Sequence, residues 1–262
     1  MDEKPIEVEN LTVQFGEFKA LHDVSFQIEE RELAVIIGPN GAGKTTLIKA
    51  ILGLVPYIGT IKIFGKDLSE LTLEEKQKIS YVPQRFENYQ NVPITTREFL
   101  NLFLPQRFDR KKAKETLERY AEVGNITNLL DKQVSKLSGG ELQRVLIVRA
   151  LASEPKIILF DEPFSGVDKI GERAFFDFIQ FLKENYGLTI MLVSHDVFNV
   201  TNLADKVVCL NHRLVCFGKP EDVLIEEHFE EIFGANVSMN KHKICEDGGP
   251  CKFYEDDNTT HH

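Results

Sequence analysis

Eight consecutive residues, Gly38-Pro39-Asn40-Gly41-Ala42-Gly43-Lys44-Thr45, match G-x-x-x-x-G-K-[ST], with Thr46 next, and directly follow the apolar run Leu33 to Ile37. Glycines let successive backbone N–H groups turn toward a chain of phosphates, and a helix starting at the end of the loop aims its positive pole at the same place. Lys44 adds a point charge for the terminal phosphates, and the Thr45 hydroxyl is placed to ligate Mg²⁺. A phosphate loop alone leaves kinases, GTPases and ATPases open.

Two further segments narrow the choice. Ile157-Ile158-Leu159-Phe160 delivers Asp161 to the carboxyl end of a strand, the edge at which α/β sheets place ligands. Asp161 is the natural second partner for Mg²⁺, and Glu162 is positioned to polarise an attacking water as general base. The segment Leu137-Ser138-Gly139-Gly140-Glu141-Leu142-Gln143-Arg144 opens a helix with a capping box of Ser138 and Glu141. A cap needs no paired glycines, whereas two glycines at a helix start leave the backbone open to an anion. One chain thus carries two phosphate-binding elements.

These residues need a scaffold that brings strand ends and helix starts together. Ile6 to Phe15 and Val24 to Ile28 read as an opening β layer. Leu33 to Ile37 is an unbroken apolar strand suited to burial on both faces. Strands and helices then alternate, through Gly59 to Phe64, IILFD, Arg173 to Glu184, TIMLVSH, a short helix and KVVCL. The expected class is α/β, a P-loop NTPase core with a parallel sheet flanked by helices, an N-terminal antiparallel layer and an inserted helical lobe. The lobe spans about residues 85–150, with Asp109 capping the helix RKKAKETLERYAEV and Gly124 ending it. The folded nucleotide-binding domain is expected over 1–235. Residues 236–262 form an acidic His- and Cys-containing tail without apolar period.

Composition sets limits. The chain has 262 residues, 31 basic against 41 acidic, a formal charge of −10, and 42% hydrophobic residues. That balance suits a packed globular domain and argues against nucleic acid held by bulk charge. An anionic ligand must be held by local geometry. No apolar stretch approaches the ~20 residues of a membrane span, and MDEKPIEVEN lacks the layout of a secretory signal, so a cytosolic home is expected. In a reducing compartment Cys209 and Cys216, each within an apolar strand, read as core filler.

The combination of GPNGAGKTT, Gln84, LSGGELQR, IILFDEP, Ser165-Gly166-Val167-Asp168 and His195, in that order, resembles the ATP-binding subunit of an ABC transporter over roughly residues 4–235. The resemblance implies that two copies pack head to tail, so that each ATP lies between the phosphate loop of one and LSGGE of the other. It implies Phe15 stacked on adenine, Gln84 at the metal and attacking water, and Ser138, Gly139 and Gly140 at the partner copy's γ-phosphate, with Glu141 counted among the ATP-binding residues of the same segment. His195 would contact the γ-phosphate, and Asp168 would couple the two sites. Considered alone, Phe15 has a core ring as its alternative reading, and a lone His195 would more often be a satisfied structural histidine. The implied cofactors are ATP and Mg²⁺. The implied partners are a second copy, transmembrane permease subunits and an extracytoplasmic metal-binding protein, which puts the chain on the cytoplasmic face of the membrane.

Two positions depart from the family's commonest pattern: Phe15 stands where Tyr is usual, and SGVD replaces SALD. SGVD and the segment YVPQRFENYQNVPITTREFL resemble the branch that imports transition metals such as zinc, manganese or chelated iron. The competing reading is a soluble ABC-type ATPase working in protein assembly, translation or DNA maintenance. Such proteins often carry a second cassette, a long coiled coil or basic surfaces, and none is evident here. In the tail, His242, Cys245 and Cys251 are soft donors suited to zinc, whereas His261 and His262 are open to reading as a tag remnant.

Overall fold

The computed structural model describes residues 4–84, 93–163, 169–194 and 203–233. Two sheets organise them. The first is antiparallel, in the order β2-β1-β4-β5, from β1 (Ile6–Phe15), β2 (Phe18–Ile28), β4 (Ile58–Ile63) and β5 (Lys66–Asp67). The second runs β10-β9-β3-β8-β7-β6, from β3 (Leu33–Ile37), β6 (Ile79–Val82), β7 (Ile157–Asp161), β8 (Thr189–Val193), β9 (Lys206–Asn211) and β10 (Arg213–Gly218). Its strands pair in parallel except at β10, which folds back antiparallel on β9. This is the α/β arrangement expected from the alternation of apolar runs, and the opening layer is longer than expected because β2 starts at Phe18.

β3, β7 and β8 are buried at every residue, as strands covered on both faces must be. Their alternating side chains divide the interior into two cores. Leu33, Val35 and Ile37 join a core with Phe99, Leu117, Val145 and Ile179 from the helices α3 (Thr96–Asn101), α4 (Arg110–Val123), α5 (Gly139–Ala152) and α6 (Lys169–Tyr186). Ala34 and Ile36 join another, with Leu47 and Ile48 of α1 (Lys44–Ile51) and with Ile6 and Val8 of the antiparallel sheet. The six-stranded sheet is therefore a partition, and the phosphate loop sits at its edge.

The helical lobe has α4 within its expected limits, capped by Asp109, whose side chain accepts from the Lys112 N–H at 2.7 Å. Gly124 ends α4 for a different reason from the one the sequence suggests. Its φ is −81°, not left-handed, and a Cβ there would collide with Val148 Cγ2. The glycine lets α4 pack closely on α5. The helix opened by the Thr72–Glu75 capping box is a single turn, Leu73–Lys76. Cys209 and Cys216, read as core filler, are both buried in the core, and they lie directly opposite each other across the β9–β10 hairpin with Cα atoms 4.8 Å apart and their sulfurs in contact. The short helix expected before KVVCL and the tail residues His242, Cys245, Cys251, His261 and His262 lie outside the described residues, as do Asp168 and His195.

Candidate nucleotide site

The phosphate loop takes its shape from packing. Gly38, Gly41 and Gly43 all have positive φ, at 154°, 83° and 97°. At Gly43 a Cβ would lie 2.6 Å from Leu21 Cδ2 and 2.7 Å from the Ala20 carbonyl oxygen, so the start of α1 is pressed against β2 with no room for a side chain. On the other flank, the His212 N–H at the β9–β10 turn donates to the Ala42 carbonyl at 2.9 Å. Both sheets thus hold the loop in place.

Inside the loop, Lys44 is buried, and its Nζ donates to the carbonyls of Gly38 and Pro39 at 2.9 Å each. Burial lowers its pKa, while the nearby carboxylates of Glu162 and Asp161 push it back up. Glu162 Oε1 lies 3.9 Å from Lys44 Nζ. Asp161 is also buried; burial raises its pKa, hydrogen bonds from Thr45 and Tyr81 oppose that, and the Glu162 charge adds to it. The Thr45 hydroxyl donates to Asp161 Oδ1 at 3.0 Å, and Gln84 Nε2 donates to Glu162 Oε2. Thr45, Gln84, Asp161 and Glu162, drawn from three segments of the sequence, thus come together through these two contacts. All offer hard oxygen atoms, the donor chemistry that Mg²⁺ prefers when it is shared with phosphates.

Glu162 has φ of 49°, in the left-handed region that a non-glycine residue occupies at a cost of about 1–3 kcal/mol. Strain at this carboxylate turns the chain away from β7 immediately after Asp161, so that two consecutive acidic residues have different partners.

The ABC transporter family model matches residues 21–165, from the middle of β2 to just past this acidic pair. The chain belongs to the ABC transporter family. Relatives span most of its length. The zinc import ATP-binding protein ZnuC of Rickettsia conorii is 32% identical over 235 residues, covering 89% of this chain and 94% of that protein. The manganese transport system ATP-binding protein MntB of Bacillus subtilis is 38% identical over 254 residues, covering 93% and 98%. Among solved structures, the ADP conformation of an ATP-binding cassette of an ABC transporter superposes with a TM-score of 0.76 at 26% identity, over 88% of this chain and 98% of that one. A nucleotide-free cassette superposes with a TM-score of 0.73 at 26% identity, over 87% and 94%. The chain is accordingly an ATP-binding subunit that hydrolyses ATP.

The LSGGE segment of this ABC ATPase opens α5. Ser138 caps α5, its side chain accepting from the Glu141 N–H, while Glu141 Oε2 accepts from the Ser138 N–H at 2.7 Å. Lys132 Nζ reaches both Glu141 oxygens at 3.0 Å. The Ser138 backbone, then Lys132, hold the Glu141 carboxyl down to about pKa 2. Gly139 and Gly140 are exposed, and a Cβ on either would meet nothing within 4 Å. Phe15, at the end of β1, is 48% exposed, a ring on the surface rather than in the core.

Three residues that sequence reasoning did not single out tie these parts together. Tyr81 donates from its hydroxyl to Asp161 Oδ2 at 3.2 Å, and burial foremost raises its pKa, so the phenol stays a donor. Arg149 of α5 donates to the Tyr81 carbonyl, and Gln143 of α5 donates to the Pro163 carbonyl, just beyond Glu162. Helix α5 is thus bonded to β6 and to the turn after β7, the segments that lead to Gln84 and Glu162. Tyr81 precedes Gln84 in YVPQ, but a role for it becomes visible only when β6 pairs with β7.

Proposed function

We propose that this chain is the ATP-hydrolysing subunit of an importer that moves a transition-metal ion, zinc or manganese, through a separate membrane permease. The observation that carries the ATPase part is the convergence of Lys44, Thr45, Gln84, Asp161 and Glu162 at one point of the sheet edge. The metal cargo is supported by relatives named for zinc and manganese transport at 32–38% identity. Among the described residues no helix is long and apolar enough to cross a membrane, and in this reading the permease supplies the spans. The chain then works at the cytoplasmic face, with an extracytoplasmic metal-binding protein delivering cargo.

In this reading the loop N–H groups and Lys44 bind the phosphates, with Thr46 one residue beyond the Thr45 hydroxyl at the start of α1. Thr45, Asp161 and Gln84 would hold Mg²⁺, which when bound neutralises charge on the phosphate oxygens. Glu162 takes a proton from the attacking water, and Gln84 orients that carboxylate. His195 at the γ-phosphate and Asp168 at the dimer contact complete the set. Ser138, Gly139 and Gly140 face outward to the nucleotide of a second copy, so the closed pair holds two ATP, and ligand that touches both chains only when closed favours that state.

The test is affinity purification of the full chain from its native membranes in mild detergent. Recovery of a multispanning protein whose association stimulates ATP turnover supports the reading. A fully active ATPase that leaves every membrane protein behind supports a soluble ABC-type ATPase instead. Zinc binding by His242, Cys245 and Cys251 is a separate proposal; equal zinc uptake by the full chain and a chain ending at Ala235 overturns it.

A further inference from the structure

Phe18 has no part in the reading above, and its surroundings give it one. It is the first residue of β2 and the direct partner of Phe15, the last residue of β1, across the turn at Gly16 and Glu17. Directly opposed residues of an antiparallel pair project from the same face, so both phenylalanine side chains leave one face of the hairpin end. Both are largely in solvent, Phe15 at 48% and Phe18 at 58% exposure, in a sheet whose other large apolar residues are mostly buried. Two exposed aromatic rings at one hairpin end oppose the burial preference of such side chains.

The hairpin end is fixed to the phosphate loop by two routes. Two residues along β2 from Phe18, the Ala20 carbonyl lies against Gly43. His212 meets the edge of the Phe18 ring at 5.7 Å between centroids and 88° between planes. The same histidine donates from Nδ1 to the Ala20 carbonyl at 3.2 Å and from its backbone N–H to the Ala42 carbonyl at 2.9 Å. Its own carbonyl accepts from the His22 N–H at 2.7 Å. One residue therefore sets the second ring relative to the loop that binds phosphate.

We infer that Phe18 is a second aromatic contact for the purine base of ATP, forming with Phe15 a two-ring platform that His212 holds in register with the phosphate loop. The inference rests on the reading that Phe15 faces the base. Neither phenylalanine carries a hydrogen-bonding group, so the platform recognises the flat π-face of a base rather than its edge.

The test uses the full chain and two probes, ATP and inorganic tripolyphosphate, which has the phosphates without the base. Phe18→Ala is expected to weaken ATP binding about fivefold or more and to leave tripolyphosphate affinity within about twofold of the parent, the range of a lost base–aromatic contact. The chain has no tryptophan, so Phe18→Trp installs a unique fluorophore, whose emission should change with ATP and not with tripolyphosphate. Unchanged ATP affinity in Phe18→Ala overturns the inference, as does equal weakening for both probes, which would mean that Phe18 acts through the fold of the loop. Phe15→Ala separates the two levels. If it alone loses ATP affinity, the base reading stands and the platform falls; if neither variant does, the base reading itself falls.

Discussion

Glycine does opposite work in the two phosphate-binding elements. At Gly43 the residue is required because neighbours crowd in, with Leu21 and Ala20 occupying the space of a side chain and φ at 97°. At Gly139 and Gly140 nothing lies within 4 Å of an added Cβ, and no left-handed backbone demands the choice. The first element is crowded by its own chain, while the second is open on the surface. In the proposed reading, that opening is where a second copy's nucleotide lies.

The contrast can be broken by substitution, beginning with the largest effect. Lys44→Ala should abolish measurable ATP binding to the isolated chain, and retained affinity by calorimetry would contradict the loop assignment. Glu162→Gln should bind ATP normally and turn it over about 10²–10⁴-fold more slowly, the range of a lost general base, so that an ATP-held pair of chains accumulates in gel filtration. Adding Gly139→Asp to that variant should return it to single chains without affecting binding to one chain, because the new carboxylate faces the other molecule's phosphates. If the pair persists, the outward reading of LSGGE fails.

Stability gives a finer test. Gly43→Ala should cost about 2–4 kcal/mol in urea unfolding through crowding and the left-handed backbone. Gly139→Ala should instead be neutral or gain up to about 1 kcal/mol, as an exposed helical glycine does. Tyr81→Phe removes one hydrogen bond to Asp161 and should cost about 1 kcal/mol while raising the Mg²⁺ concentration needed for half-maximal turnover. The smallest effect concerns pH. The Glu141 carboxyl is held at about 2 against an ordinary value of 4.5. A depressed folded-state value stabilises above the unfolded pKa, so the cap's support is complete above about 4.5 and is lost as the pH falls toward 2. Lys132→Met should narrow that window from its acid side, as read from unfolding midpoints across that range.

Much of this was legible in the chain itself. The apolar run LAVII gave β3, the glycine spacing gave the loop, and Asp109 gave the start of α4, because each is a local signal whose partners lie within a few residues. What escaped depends on register between distant segments. Tyr81 reaches Asp161 only because β6 lies beside β7 with Tyr81 opposite Leu159. Cys209 meets Cys216 only because the β9–β10 hairpin aligns them, and Gly124 matters only because Val148 packs on it. Lys132 likewise gains its meaning from the α5 terminus it pins. Periodicity reveals which face of an element is apolar, but not which single atom on another element it will meet.

The strand that bears the phosphate loop stands early in the chain, yet both of its sheet neighbours come late. Leu33 pairs with Ile190, and Ala34 pairs with Lys206. The last clasp on the loop, from His212 to Ala42, lies later still. During synthesis, therefore, the loop motif leaves the ribosome with only its β2 wall available, and its sheet neighbours and the His212 clasp follow much later. A chain cut before the β9–β10 hairpin keeps the motif but loses β9 beside β3 and the clasp on Ala42, so motif and finished loop are separated by most of the chain's length.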